Sequence, residues 1–208
     1  KAAFYKDMAA GGAGLPSAAQ LHGKELSFNN IIDLDAALEI MKEFNSPAAV
    51  IIKHTNPCGA ATAKTLKQAY MDALDCDRLS AFGSVVGFNA PVGLDLANTI
   101  LEEADFVECM IAPSYDIEAL EVLKKKKNLR LLEVKNFGSS AASAAPDLKG
   151  IVGGLLLQER DFVGVKESDL KFVTKARPTR EQLESLIFGV LVAKHVKSNA
   201  IVLCQGTK

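Results

Sequence analysis

No apolar run in this sequence reaches membrane-spanning length. The longer ones, at 48–52, 155–157 and 186–193, fall well short of the roughly 18 residues that a span requires. Neither a transmembrane helix nor a signal peptide is expected. An excess of one charge is also lacking: 24 Lys and Arg face 25 Asp and Glu, for a formal net charge of -1. That balance disfavours a basic nucleic-acid binder. Cysteine is sparse, and Cys58, Cys76, Cys109 and Cys204 form no C-x-x-C pair in a chain too large to need disulfide staples. They read as reduced thiols of a cytoplasmic protein. No internal repeat at a solenoid period is present. What remains, 49% hydrophobic and 24% charged over 208 residues, is an ordinary globular composition with enough length to bury a sizeable core.

Hydrophobic periodicity alternates between helix and strand. Leu34, Ala37, Leu38 and Met41 recur at helical spacing, with Asp33 placed to cap the first turn, and a strand is predicted over Ala48 to Ile52. Leu66, Ala69, Tyr70 and Ala73 form the next helical face, followed by a short apolar strand at Ser84 to Phe88. A third stripe, Ala97, Ile100, Leu101 and Ala104, precedes a strand over Phe106 to Ile111. Asp116 is placed to cap a fourth helix carrying Ile117, Leu120 and Leu123, and Leu129 to Val134 reads as strand. Short strands apolar on both faces, alternating with helices, predict an α/β fold with a mostly parallel sheet. Gly138 to Pro146, small and without period, reads as an exposed loop or linker. Beyond it, Ile151 to Leu157 resumes a strand in which Gly153 and Gly154 suggest a bulge or close backbone approach. Thr179 and Gln182 have capping-box spacing before a helix bearing Leu183, Leu186, Ile187, Val190 and Leu191, and Ala200 to Leu203 begins another strand.

Chemistry concentrates in the segment IIKHTNPCG, residues 51–59, where a buried-strand pattern ends in Lys53, His54, Thr55 and Asn56. Ligands of open α/β sheets bind at strand carboxyl ends, which favours a site here, although a solvated loop explains polar residues equally simply. Pro57-Cys58 invites comparison with zinc deaminases. Asn56 and Ala61 stand where that signature needs Glu and Cys, so zinc is not expected. Cys58 as a nucleophile is weak, because a lone Cys is more often a small buried hydrophobe. The cluster from Lys194 to Asn199 and the run from Lys124 to Lys127 both suit helix carboxyl ends, whose dipole favours cations. Ser80-Ala81-Phe82-Gly83 offers a close backbone approach to a ligand, a weak signal alone.

The segments LHGKELSFNNI, KHTNPCGAA, DRLSAFG, CMIAPSYDIEAL, KKKKNLRLL, VTKARPT and AKHVKSNAIVL occur in order along the chain. In this order they resemble the transformylase part of the bifunctional purine biosynthesis enzymes, which couple aminoimidazole carboxamide ribotide (AICAR) formyltransferase to IMP cyclohydrolase. The resemblance covers essentially the whole chain. It implies a cytidine-deaminase-like three-layer α-β-α lobe that has lost the metal. The implied reaction is formyl transfer from the cosubstrate 10-formyltetrahydrofolate to the 5-amino group of AICAR, within IMP biosynthesis.

Carried over by motif, Lys53 resembles the catalytic lysine, and His54 the histidine that contacts AICAR and assists removal of its amine proton. Gly83 matches a substrate-contacting glycine. Glu108 takes the position of an acidic group holding the ribose, Asn199 resembles the asparagine that orients the carboxamide, and Phe82 borders the folate pocket. An aromatic amine is a poor nucleophile, so its attack on a formamide needs orientation, proton removal and stabilisation of an oxyanion. Imidazole suits the proton transfer, and a lysine ammonium suits the oxyanion or the leaving folate nitrogen. Neighbours on an extended strand point oppositely. Lys53 and His54 therefore converge on one substrate only if the strand has already turned.

The resemblance also implies a homodimer with its active site at the interface, with no nucleic acid and no membrane as partner. The chain begins with Lys1 rather than Met and ends at Lys208 just past an apolar stretch, and it is expected to be a partial piece. The family's Arg-Tyr-Gly and Asn-Pro-His-Gln segments before Lys1, and its Gln-x-Ser-Arg segment after Lys208, would supply arginines for the nucleotide. The expected organisation is residues 1–150 as the first lobe, 151–198 as its remainder and a helical connector, and 199–208 as the start of a second lobe. The piece alone is expected to be inactive and to bind AICAR weakly. The competing reading is a non-catalytic partial domain serving folding and dimer assembly only.

Because the zinc ligands are replaced, the purified protein should hold no stoichiometric transition metal by elemental analysis. Zinc that survives dialysis against a chelator would contradict this reading of residues 56–61.

Overall fold

Five consecutive apolar residues at 48–52 have no polar face to offer water, so their strand must be covered on both sides. The computed structural model describes residues 3–6, 14–135 and 146–208. It opens with a single 3-10 turn, Leu15–Ser17, then β1 (Ala19–His22), α1 (Phe28–Met41), β2 (Ala48–Lys53), β3 (Asn56–Thr62) and α2 (Leu66–Cys76). β4 (Ser84–Phe88), α3 (Leu94–Glu103), β5 (Val107–Ala112), α4 (Ile117–Leu123) and β6 (Arg130–Glu133) complete the alternating part. β7 (Asp147–Ile151), β8 (Gly154–Gln158) and α5 (Arg180–Ala193) follow.

The first six strands form one sheet in the order β1-β6-β5-β4-β2-β3. β4, β5 and β6 are parallel neighbours, whereas β2 is antiparallel to both β3 and β4, and β1 is antiparallel to β6. Four of the six strands, β3 to β6, therefore run the same way, as a mostly parallel α/β sheet requires, while β1 and β2 are reversed. Two cores flank the sheet. On one face Ile51, Val86 and Met110 meet Tyr70, Leu96, Ile100 and Leu123 from α2, α3 and α4. On the other, Val50, Ile52, Val85 and Ile111 meet Leu34, Leu38 and Met41 of α1 and Phe188 and Val192 of α5. The result is the expected three-layer α-β-α arrangement.

Local signals explain the element boundaries. Ser27 caps α1 in a reciprocal box: its Oγ accepts the Asn30 N–H at 3.1 Å, and Asn30 Oδ1 accepts the Ser27 N–H at 3.0 Å. The same device opens α5 through Thr179 and Gln182 at 3.2 and 2.9 Å, as their spacing predicts. Thr65 Oγ1 caps α2 by accepting the Gln68 N–H. Asn89 ties down the start of β2, since its Oδ1 accepts the Ala48 N–H at 2.7 Å and its Nδ2 donates to the Phe44 and Ser46 carbonyls. The outer edge of β3 is met by Thr207, which accepts the Thr62 N–H and donates to the Thr62 carbonyl, both at 2.9 Å.

Several expectations need correction. Asp33 caps nothing: α1 begins six residues earlier at Ser27, because the capping box and the polar first turn extend the helix beyond its apolar stripe. Asp116 does occupy the N-cap position of α4, but its side chain accepts no helix N–H. Residues 56–62 form β3 rather than a loop, with Pro57 tolerated on an edge strand and a register shift at Cys58. The Ile151 to Leu157 stretch is not one bulged strand. Gly153, at φ 77, reverses the chain, so β7 and β8 form a separate antiparallel hairpin. Ala200 to Leu203 forms no strand, because no described strand pairs with it and Thr207, further on, is what meets the end of β3 at Thr62. The linker expected at Gly138 to Pro146 lies, except for Pro146, outside the described residues.

Gly59 is where α2 rests directly on β3: a Cβ there would stand 1.9 Å from the Ala73 carbonyl oxygen. Backbone on both sides leaves nothing flexible to move. Gly59→Ala should therefore destabilise the fold by about 2 kcal/mol or more, as overpacked cores do, measured as a fall in the denaturation midpoint.

Candidate functional site

β2 delivers Lys53 at the end of a strand whose preceding five residues are wholly buried. The next two residues, His54 and Thr55, reverse the chain directly into β3, and Lys53 pairs with Asn56 across the base of the turn. Both turn residues have positive φ, 53 and 63, the sign pattern of a type I′ hairpin turn. Such turns normally use Asn and Gly. A β-branched threonine in this region is a rare, strained choice, and strain of this kind gathers at functional sites. The turn ends the strand's regular alternation directly after Lys53, the condition that convergence of Lys53 and His54 requires.

The Lys53 ammonium is held against the neighbouring loop. Its Nζ donates to the Phe82 carbonyl at 2.5 Å and to the Gly83 carbonyl at 3.2 Å. Gly83 has φ 68, and a Cβ there would stand 3.2 Å from Lys53 Nζ, so the glycine keeps both the left-handed bend and the space for the ammonium. Its N–H donates to the Phe106 carbonyl at 2.8 Å. Phe82 is 58% exposed and stacks in a tilted pair on Phe106, with centroids 5.6 Å apart. An exposed aromatic beside a fixed ammonium can serve as a platform for a planar ligand.

Asn56 connects this turn to the carboxyl-terminal segment, because its Oδ1 accepts the Lys197 N–H at 3.2 Å. Asn199 lies two residues further on, exposed, with its Oδ1 accepting the Ser198 hydroxyl at 2.8 Å. Lys194 and His195 are committed elsewhere: both bond the Glu43 carboxylate at 2.9 Å, fastening the end of α5 to the end of α1. Their helix-end reading is the better one. Lys124 to Lys127 are likewise exposed at the end of α4.

Glu108 stands two strands away, roughly 10 Å from Lys53 by ordinary strand spacing. Its carboxylate is 34% exposed and bonds the Arg130 guanidinium at 2.6 Å, while that arginine is only 13% exposed and also donates to the Glu25 carbonyl. One Glu108 oxygen is thus engaged, leaving capacity to accept from a ligand hydroxyl.

Lys53, His54, Phe82, Gly83 and Glu108 lie on one edge of the sheet, whereas Lys194 and His195 meet Glu43 toward the other. The former edge is the carboxyl end of β2 but the amino end of the parallel strands β4, β5 and β6, because β2 runs antiparallel to β4. The strand-end rule for open α/β sheets therefore lends no support here. The support comes from the geometry of the turn. The structure brings Lys53, Phe82 and Gly83 together with His54 next in the turn, links the Asn199 segment to that turn through Asn56, and leaves Glu108 further along the same edge. Sequence reasoning missed Asp33, whose carboxylate accepts the Thr55 N–H at 2.7 Å, and also Phe106 and Arg130. A polar residue inside a helix with no cap to make was the one available signal for Asp33.

Among the described residues, no three His, Cys, Asp or Glu side chains converge in a way that could hold a metal ion, and no helix is long and apolar enough to cross a membrane. The four cysteines are free.

A family model described as AICARFT/IMPCHase bienzyme matches residues 1–208. The chain is similar to the bifunctional purine biosynthesis protein PurH of Ruminiclostridium cellulolyticum, at 47% identity over 99% of this chain and 40% of that protein. It is 48% identical to PurH of Thermoanaerobacter sp. (strain X514), over 99% of this chain and 39% of the relative. With PurH of Magnetococcus marinus it shares 50% identity over 98% of this chain and 38% of the relative. The chain thus spans about 40% of the length of the curated relatives it matches.

Burial pushes the Cys58 thiol up to about 11, with the Asp77 charge adding to the effect. Only about one thiol in a thousand is then ionised at pH 8, and the thiolate is the reactive form. Alkylation followed by peptide mapping should show Cys58 modified far more slowly than a free thiol at pH 8, with the rate still rising tenfold per unit to pH 10. Rapid modification at pH 7 would restore Cys58 as a candidate nucleophile.

Proposed function

The chain belongs to the AICARFT/IMPCHase bienzyme family, and from that premise we propose that it carries part of the machinery for formyl transfer in purine biosynthesis. The donor is 10-formyltetrahydrofolate and the acceptor is the 5-amino group of AICAR. In the full-length protein this activity works alongside IMP cyclohydrolase. We place the protein in the cytoplasm, with small-molecule substrates and no metal in the reaction.

The observation that carries the reading is the Lys53 ammonium, fixed on the Phe82 and Gly83 carbonyls beside a strained turn that presents His54. In the reaction the AICAR amine nitrogen bonds to the formyl carbon as His54 takes its proton, and the formyl oxygen becomes an oxyanion. Lys53 stabilises that charge or protonates the folate nitrogen as its bond to the formyl carbon breaks. The products are formylated AICAR and tetrahydrofolate. Gly83 keeps the backbone low enough for the substrate to approach, and Phe82 offers its exposed ring to the folate. Glu108 takes the ribose hydroxyls, and Asn199 orients the carboxamide. Residues 1–150 are assigned to a first cytidine-deaminase-like lobe, 151–198 to its remainder and a helical connector, and 199–208 to the start of a second lobe.

A second copy of the chain is the proposed partner, contributing to a shared site. The β7–β8 hairpin supports assembly, since Leu148, Leu155 and Leu157 are 58%, 62% and 65% exposed. Contiguous apolar area of this kind marks an interaction surface. The same feature favours the alternative role, in which this part serves only folding and dimer assembly.

In the full-length enzyme, Lys53→Ala and His54→Ala should each lower formyl transfer by about 100-fold or more, the usual loss when an oxyanion donor or proton acceptor is removed. Their melting temperatures should stay within a few degrees of the parent. Near-normal turnover in either variant would overturn the assigned role, and joint loss of folding and turnover would support the assembly-only reading.

A further inference from the structure

Asp33 sits within α1, where aspartate is a poor helix former and every backbone N–H around it is already bonded. Its carboxylate leaves the helix. Oδ1 accepts the Thr55 N–H at 2.7 Å, across twenty-two positions of sequence and within the hairpin turn that carries His54. This is a charge-assisted bond to the second of two non-glycine residues with positive φ. The carboxylate has a rigid origin: the Ser27–Asn30 box closes the start of α1, and Leu34 and Leu38 are buried beside it.

Within the turn, Thr55 Oγ1 donates to the His54 carbonyl at 2.7 Å, a local bond that does nothing to prevent the turn from relaxing to negative φ. Asn56 ties the far side to the Lys197 N–H. Asp33 is the described side chain that bonds a turn N–H from the helical layer beneath it. If that bond is lost, His54 and Thr55 gain access to ordinary backbone conformations. In those conformations the direction in which Lys53 and His54 leave β2 changes.

We infer that Asp33 is a positioning residue: by accepting the Thr55 N–H it holds the His54–Thr55 turn in its left-handed conformation and so aims His54 and Lys53 at the substrate. This rests on the formyl-transfer reaction proposed above. Asp33 does not touch the reacting atoms and takes no proton.

The test uses the full-length enzyme and four proteins: the parent, Asp33→Ala, Asp33→Asn and the double variant Asp33→Ala with Thr55→Gly. Asp33→Ala should lower kcat by about 10- to 100-fold, the loss expected from misplacing reacting groups by about an ångström. KM for both substrates should change by less than about threefold. Asp33→Asn keeps an acceptor oxygen and should stay within about threefold of the parent kcat. Glycine adopts positive φ without strain, so Thr55→Gly should recover at least half of the logarithmic loss in the Asp33→Ala background. Should Asp33→Ala fail to fold, the same glycine substitution should restore a folded, active enzyme.

A kcat for Asp33→Ala within twofold of an active parent would overturn the role of Asp33 while leaving the reaction standing. So would an Asp33→Asn loss as deep as that of Asp33→Ala, or no recovery from Thr55→Gly. A parent with no formyl transfer would overturn the reaction and this role together.

Discussion

The constraint on which the rest depends is the complete burial of β2 between two helical layers. A strand apolar on both faces cannot end gradually, because its first polar residue must appear where cover stops. Lys53 is that residue. Its neighbours are shaped by the same burial: Gly59 lets α2 come down onto β3, and Gly87 lets Met41 of α1 come down onto β4. A Cβ at Gly59 would meet the backbone of α2 and lift that layer, whereas at Gly87 it would meet the flexible end of Met41. Packing in the core therefore reaches the candidate site through backbone position as well as through the bond from Asp33 to the turn.

The hairpin that follows balances a local cost against a specific gain. Two non-glycine residues in the left-handed region cost on the order of 1 to 3 kcal/mol each. A hydrogen bond to a charged acceptor offsets about 1.5 to 3 kcal/mol, comparable with the cost of one such residue. The remainder has to come from the buried β2–β3 pairing and from Asn56, which ties the turn to the segment after α5. Asn-Gly would form the same turn without strain. It would carry no imidazole, so the strain is retained along with a side chain able to exchange protons.

Much of this was legible in the residues alone, and the misses share a cause. Strands β2, β4 and β5 and the helical faces of α2 and α3 follow directly from apolar period. The Thr179–Gln182 box was visible as spacing. Tertiary partners were not: Asp33 looks like a cap until the real cap at Ser27 is seen, and only then is its carboxylate free for Thr55. No strand was legible at 56–62, since Pro57 and Gly59 argue against one in any window. These residues become strand because β2 offers a fully buried partner. Sheet direction was legible only for β4 to β6, where intervening helices force parallel crossovers. The reversal at β2 depends on a turn whose residues carry no ordinary turn signature. Lys53 and His54 were visible as a polar break in an apolar run, whereas Arg130 was hidden because its pairing with Glu108 joins neighbouring strands far apart in sequence.

Strand direction also decides which helix ends face the site edge. α2, α3 and α4 each precede a parallel strand on one face of the sheet, so their carboxyl ends point toward the edge where β4, β5 and β6 begin. Helix carboxyl ends carry partial negative charge and stabilise a nearby cation by about 0.3 to 1 kcal/mol. Lys53, resting on carbonyls of the loop just after α2, sits in that field. α1, on the opposite face, runs the other way, and its amino end comes to the same edge because β1 finishes there beside the start of β6. The edge is therefore polarised across the thickness of the sheet, with cations favoured on the α2–α4 side and anions on the α1 side. Lys53 reaches this edge on the side that favours a cation. The reversal of β2 creates this arrangement: with β2 parallel to β4, Lys53 would emerge at the opposite edge of the sheet, where the helix ends carry the opposite charge.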